Sequence, residues 1–288
     1  MKEEIVMAKS PSKQEVEKVE SKTQLPTELA AQFAADAGMG SEFASREDMA
    51  IPFIKIAQAL SEEVNKRESS YIDGLEVGDF FNTASRQRWS SEKGMTIIPV
   101  FYERENIEWV PRSRGGGFQG KHGDAVLEKT TMGERGENFL PNGNEIVITG
   151  TWYVIIVDRE TLDIDQAVIS LSKTQLKKSR TLMTQLKQLL IPGPTGKKFN
   201  PPLFYNLIDV TSVPESNDQG SWMGWKFTIN GNITDLGEHF GEFYEMAKGM
   251  LEAVRSGRMK AETPRGDTSG ASSNGQSSSL REDANIPF

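Results

Sequence analysis

The 288-residue sequence predicts an α+β chain with a mainly β core, an OB-fold-like Greek-key barrel carrying added helices and disordered tails. Three observations carry that expectation. Runs rich in aromatic and β-branched residues dominate the middle of the chain. Their order, several strands, then a helix, then two more strands, is compatible with such a barrel. Both ends are charged or Ser/Gly-rich and nearly free of aromatic residues, which leaves the core between them.

Residues 1–25 carry charge and no aromatic side chain, and read as a disordered N-terminal segment. Residues 26–255 read as one OB-like domain with an inserted loop at 111–144, and 256–288 as a flexible tail holding seven Ser and four Gly. Within the domain, "PTELAAQFAADAG" predicts a short helix ended by Gly38. "IPFIKIAQALSEEVNK" opens the packed structure with Ile54, Ile56 and Leu60. Strands are expected at 80–83, 95–103 and 107–111, with breaks at Gly94 and at Glu105-Asn106. Two more follow at 145–158 and 165–172, where Gly150 marks a bulge or bend. The Gly-rich, polar connection 111–144 is long enough to be expected to serve function or to move.

"SKTQLKKSRTLMTQLKQLL" predicts a helix capped by Ser172, with Leu176, Met183, Leu186 and Leu190 at helical spacing. Pro192 and "GPTG" end it, strands are expected at 203–212 and 222–229, and a last helix runs to about Gly257.

Enzymatic signatures are missing. The absence of cysteine excludes disulfides, thiolate catalysis and Cys-based zinc sites, and fits a reducing compartment. His122 and His239 stand far apart with no carboxylate cluster nearby, so no metal and no cofactor are assigned. No G-x-S-x-G elbow, H-E-x-x-H helix or dinucleotide fingerprint occurs. Asp163 and Asp165 suit a Mg²⁺-dependent nuclease in principle, but a turn feeding a strand accounts for them more simply. Without an apolar leader or an apolar run near the roughly 20 residues that span a bilayer, the chain is expected in the cytoplasm.

The formal charge of −8 argues against a nucleic-acid binder at face value, but its distribution reverses that impression. From Gln166 to Ile208 there is no acidic residue, while Lys173, Lys177, Lys178, Arg180, Lys187, Lys197 and Lys198 supply seven positive charges. A local basic patch attracts phosphates whatever the net charge; a solvated helix face is the plainer account. In the strand 222–229, alternation sends Met223, Trp225, Phe227 and Ile229 to one face, read as core. Trp222 and Lys226 fall on the other, with Gly224 between them, as a ring and a cation for a stacked base and its phosphate. A cover over a barrel end is the alternative role of Trp222. Trp109, Trp152 and Tyr205 also lie on expected strands and suit a core equally well. Arg112 and Arg114 precede "GGG", where guanidinium groups and backbone amides can clamp a phosphate, although a Walker loop's Lys-Ser/Thr ending is missing.

The sequence ends "REDANIPF" at 281–288, and six of these eight residues recur in "REDMAIPF" at 46–53. A Gly/Ser-rich tether ending in acids and Ile-Pro-Phe resembles the C-terminal tip of bacterial single-stranded DNA-binding proteins. The resemblance implies that Phe288, Pro287, Ile286, Asp283 and Glu282 recruit replication and recombination enzymes, with Phe288 in an apolar pocket and the acids on basic surface. Ala284 and Asn285 stand where that family usually has acids, which weakens the electrostatic part. "IPFIKIAQALS", "GMTIIPVFYER" and "LSKTQLKKSR" resemble a phage-encoded group associated with single-stranded DNA binding.

The internal copy has three readings: chance, the plain start of the core with Ile51 and Phe53 buried, or a segment that competes with the tail for one pocket. The leading functional expectation is a non-catalytic, sequence-tolerant single-stranded DNA-binding protein, possible as a homo-oligomer, for phage replication, recombination or repair. A strand-annealing recombinase and a replisome adaptor that binds no DNA are the alternatives.

Overall fold

The apolar runs in the middle of the chain form five long strands: β1 (Met95–Trp109), β2 (Glu145–Val157), β3 (Ile164–Ser172), β4 (Asn206–Asn217) and β5 (Gly220–Asn232). The computed structural model describes residues 27–37, 39–40, 50–218 and 220–262. Two units are distinguished, one up to Ala44 and one from Ser45 onward. Taken by itself, the first holds the helix Thr27–Ala35. The second is the body.

In the body the five strands lie antiparallel in the order β5-β4-β1-β2-β3. Helix α1 (Lys173–Gln188) joins β3 to β4. The sheet curls strongly into a half-barrel, so the mainly β, OB-like expectation holds. Among the described residues β3 and β5 form no ladder with each other. The gap is bridged by 51–58 instead: the Val168 amide of β3 donates to the Pro52 carbonyl (2.9 Å). On β5, the Gln58 side chain both donates to the Met223 carbonyl and accepts from the Met223 amide, each at 2.8 Å. A glutamine thus satisfies edge groups that would otherwise template pairing with another chain.

The sheet buries both faces. Inside the curl, Ile97, Trp152, Val154, Ile169 and Val210 pack with Leu182 and Leu186 of α1. Outside it, Ile98, Val100, Ile155 and Val168 lie under Phe243, Ala247 and Met250 of the last helix, α2 (Phe240–Arg255), together with Ile51 and Phe53. Burying two faces explains why β2 reads as a continuous apolar run.

Several local expectations are corrected. The break at Glu105-Asn106 does not occur, and one 15-residue strand runs through it. The Thr151 hydroxyl donates to Glu105, and the Asn106 amide to Asp124, so these polar side chains stay in the ladder with partners distant in sequence. β1 is irregular at Pro99/Phe101 instead. Pro99 lacks an N–H and lies just past the Met95–Ile97 stretch that pairs with β4, at the irregularity itself. β2 is regular at Gly150, whose role is close approach: a Cβ there would lie 2.6 Å from Ser179 Oγ of α1.

The loop 111–144 contains short strands at Phe118–His122, Thr131–Met132 and Asn138–Phe139, which extend the far ends of β1 and β2 into a second tier. The segment Leu203–Tyr205 is a 3₁₀ turn preceding β4. The last helix starts as a 3₁₀ turn, Ile233–His239, with Gly237 at φ 68° before α2. Regular structure continues past 255 to a short strand, Lys260–Ala261, parallel to Ala50–Ile51.

Candidate nucleic-acid interface

Helix α1 buries Leu176, Ser179, Leu182 and Leu186 against the half-barrel. Met183 is half-buried and Leu190 is exposed, so Leu182 takes the place that helical spacing had assigned to Met183. Ser172 occupies the cap position without a side-chain hydrogen bond. The chain enters the helix through Lys173 at φ 51°.

The opposite face carries charge. Lys173, Lys177, Arg180 and Lys187 follow at spacings of four, three and seven, which sets them along one stripe. Lys177, Arg180 and Lys187 are exposed and have no acidic partner among the described residues. Lys173 meets Glu145 at 3.3 Å and stays largely exposed. The stripe continues into a hairpin, Ile191–Pro192 with Lys198–Phe199, whose exposed edge presents Lys197 and Lys198. Asn200 fixes this hairpin to the helix end, donating to the Leu186 and Leu189 carbonyls (2.7 and 2.8 Å).

Sequence reasoning missed Phe199. It is 45% exposed beside Lys198, a ring and cations on one hairpin. The signal was present in "GKKFN", an aromatic next to two lysines, but an isolated Phe is by default assigned inward.

Lys178 and Trp222 are placed differently. The Trp222 indole donates to Glu215 Oε2 (2.8 Å), Gln175 donates to the same oxygen (2.7 Å), and Lys178 forms an ion pair with Glu215. Burial pushes the Glu215 carboxyl up, but Lys178, Gln175 and Trp222 together hold it below the usual carboxylate range. Gly224 leaves room for the cluster, since a Cβ there would lie 2.3 Å from Glu215 Oε2. Through Glu215 of β4, Lys178 and Trp222 therefore tie α1 to the β4–β5 pair. Lys226 is exposed on the same strand, while Trp225 is buried and Met223, Phe227 and Ile229 are half-buried against the inner core, as alternation predicted.

The arginine pair at the loop also separates. Both side chains are exposed, and Arg114 donates to the Asn142 carbonyl (2.9 Å) and to Asn144 Oδ1 (2.5 Å). Asn144 in turn donates to Glu108 (2.6 Å), which also accepts from Asn142 (3.2 Å) and meets His122 Nε2 (2.7 Å). Arg114 is a clasp of the second tier. The Asn144 hydrogen bond, helped by Asn142 and His122, lowers the Glu108 carboxyl despite its burial. A depressed folded-state value means that this stabilisation is complete above the unfolded value of 4.5 and is lost as pH falls through the folded one. We expect amide exchange in 110–145 to accelerate relative to its intrinsic, pH-dependent rate, a fall in protection, on acidification below that value. In Glu108→Gln the acceleration should vanish and the tier should be weaker at neutral pH by about 1–3 kcal/mol.

The other tryptophans are structural. Trp152 is buried and donates to Ser179 Oγ (2.8 Å), and Trp109 packs edge-on to Phe118. Tyr205 is half-buried in its turn. On the outer side of β2 and β3, where OB folds commonly receive oligonucleotides, Tyr153, Ile155 and Val168 are covered by α2 and 51–53. Farther along that side lie Glu103 and Glu105; burial first, and then Glu105, raise the Glu103 carboxyl.

His239 is exposed beside Glu242, and Asp163 accepts from Thr161 in a turn that Asp158 organises. No group of three or more potential metal ligands occurs among the described residues. No helix among them is long and apolar enough to cross a membrane. Glu282, Asp283, Ile286, Pro287 and Phe288 lie outside the described residues, as do Arg46–Met49 of the internal copy. Of the rest of that copy, Ile51 and Phe53 enter the core while Ala50 is exposed.

A family model described as Pam3 phage gp34-like protein matches residues 20–260. No curated protein and no solved structure matches the chain.

Proposed function

The chain belongs to the Pam3 phage gp34-like family, and from that premise we propose that it is a non-catalytic, sequence-tolerant single-stranded DNA-binding protein acting in phage DNA replication or recombination. The observation that carries this reading is the α1 stripe. Three cations without acidic partners among the described residues, Lys177, Arg180 and Lys187, run into Lys197, Lys198 and the exposed Phe199 in a chain whose net charge is −8. Such clustering against the overall sign sets up a local field suited to a phosphate backbone. Phe199 supplies a stacking surface that every base can use, which gives affinity without sequence preference.

This reading moves the interface away from the outer side of β2 and β3, which is apolar and covered under α2 and beyond it holds Glu103 and Glu105 with Lys121 ion-paired to Glu105, to the helix between the third and fourth strands. Lys178 and Trp222 serve as scaffold for the stripe through Glu215. Residues 281–288 recruit partner enzymes.

Binding of fluorescent poly-dT across a salt series tests the proposal. The logarithm of the affinity should fall linearly with the logarithm of salt, by about 0.7 per phosphate contacted. A salt-independent signal, or no binding, would reject it and favour an adaptor that meets proteins alone.

A further inference from the structure

Ile-Pro-Phe occurs twice in this chain, at 51–53 and 286–288, each time two residues after an Arg-Glu-Asp. The first copy shows how the body receives such a phrase. Ile51 and Phe53 are 4% and 6% exposed in the outer core cluster, and Pro52 gives its carbonyl to the Val168 amide. On another flank of that cluster, between α1 and α2, an apolar cavity of about 320 Å³ stands open. Tyr102, Met183, Leu203 and Leu251 form its walls, and its rim carries Lys187 and Arg255. Both cations are exposed and have no acidic partner among the described residues.

We propose that this cavity is the docking site of residues 281–288 of the same chain, with Ile286 and Phe288 in the apolar part and Glu282 and Asp283 against Lys187 and Arg255. Charge complementarity selects this occupant. An apolar hole with a doubly cationic rim fits a segment that couples acids to Ile-Pro-Phe, and this chain carries such a segment at 281–288. Docking here displaces nothing, whereas the first seat is already closed by Ile51 and Phe53.

Reach is ample. Arg255 borders both this cavity and the adjoining groove that contains Glu262, so the last described residue stands near the site. Eighteen residues, 263–280, separate it from the segment. A Ser/Gly-rich chain of that length spans roughly 20–25 Å as a random coil. Tethering at such range corresponds to an effective concentration of about millimolar, so a modest intrinsic affinity is enough for occupancy.

The test uses full-length chains and does not involve DNA, so it stands or falls apart from the reading above. A fluorescein-labelled peptide of sequence REDANIPF is titrated into the Phe288→Ala chain, whose own segment is disabled, and followed by anisotropy. Saturable binding is expected, at least about tenfold weaker in the native chain, whose tethered segment competes. Adding Lys187→Glu and Arg255→Glu to the Phe288→Ala chain should weaken the peptide by about tenfold or more, the equivalent of one good contact. Both sites are exposed, so an unchanged thermal transition verifies the fold of that variant. Hydrogen exchange should show peptide-induced protection at 202–204 and 250–255. Absence of saturable binding, or binding indifferent to the two charge reversals, would overturn the proposal. Protection appearing at 50–56 instead would overturn it too, by placing the segment in the first copy's seat.

Discussion

Reversing the stripe, with Lys177→Glu, Arg180→Glu and Lys187→Glu together, should weaken poly-dT binding at least about 100-fold at low salt and lower the salt slope by about 2, three contacts at roughly 0.7 each. The thermal transition should barely move. All three side chains are exposed on α1, and none has an acidic partner among the described residues, so folding does not depend on them. Phe199→Ala on the neighbouring hairpin should cost about 1–3 kcal/mol of binding, the value of one stacked base, without changing the slope. Lys178→Ala should behave in the reverse manner. It leaves Glu215 half-buried among Gln175 and Trp222 without its cation, which weakens the docking of α1 on β5 while DNA affinity is largely kept. Equal losses of affinity from Lys178→Ala and from the stripe reversal would show that the Glu215 cluster opens to contact DNA, and the division between scaffold and interface drawn here would be wrong.

That division was not legible in the sequence. Helical periodicity placed Lys178 on α1, but whether a lysine there is available depends on Glu215, a residue 37 positions away on another strand. The same holds for Arg114, whose partners Asn142 and Asn144 return to it only because the second tier folds the 111–144 loop back on β1. Local pattern did suffice where one face or both faces of an element must be buried. The alternation in β5, the apolar run of β2 and the helix between third and fourth strands were readable because each follows from the period of its own backbone. Length failed at Glu105 and Asn106, since polarity alone marks a break and only tertiary partners keep such residues in a strand. The cover that α2 places over the outer side of β2 and β3 was likewise invisible. An amphipathic helix announces that it has a partner face, not which face it takes.

Phe53→Ala should lower stability by about 3–5 kcal/mol, the range for truncating a buried Phe. For a body of this size that is a fall in the transition temperature of roughly 6–20 °C. The cost arises at a junction. The Phe53 amide donates to Thr83 Oγ1 (2.9 Å), the Thr83 amide donates back to the Phe53 carbonyl (2.9 Å), and the Thr83 hydroxyl donates on to Glu262 (2.9 Å). The Glu262 amide donates to the Ile51 carbonyl (3.0 Å), so the first Ile-Pro-Phe copy, the small three-stranded sheet formed by Ile54–Ile56, Phe80–Asn82 and Arg88–Trp89, and the end of the described chain are held at one point. Emptying that point should therefore raise amide exchange at 80–83, 164–170 and 260–262 together, not at 51–56 alone. It should also loosen the segment 51–58 that bridges β3 and β5, leaving strand edges able to pair with other molecules, so faster aggregation on heating should accompany the lower transition. A change of less than about 2 °C would mean that the side chain contributes little and that the first copy sits in an exchangeable seat. In that case the repeated phrase would be two competitors for one site, and the open cavity between α1 and α2 would lose its claim on the second.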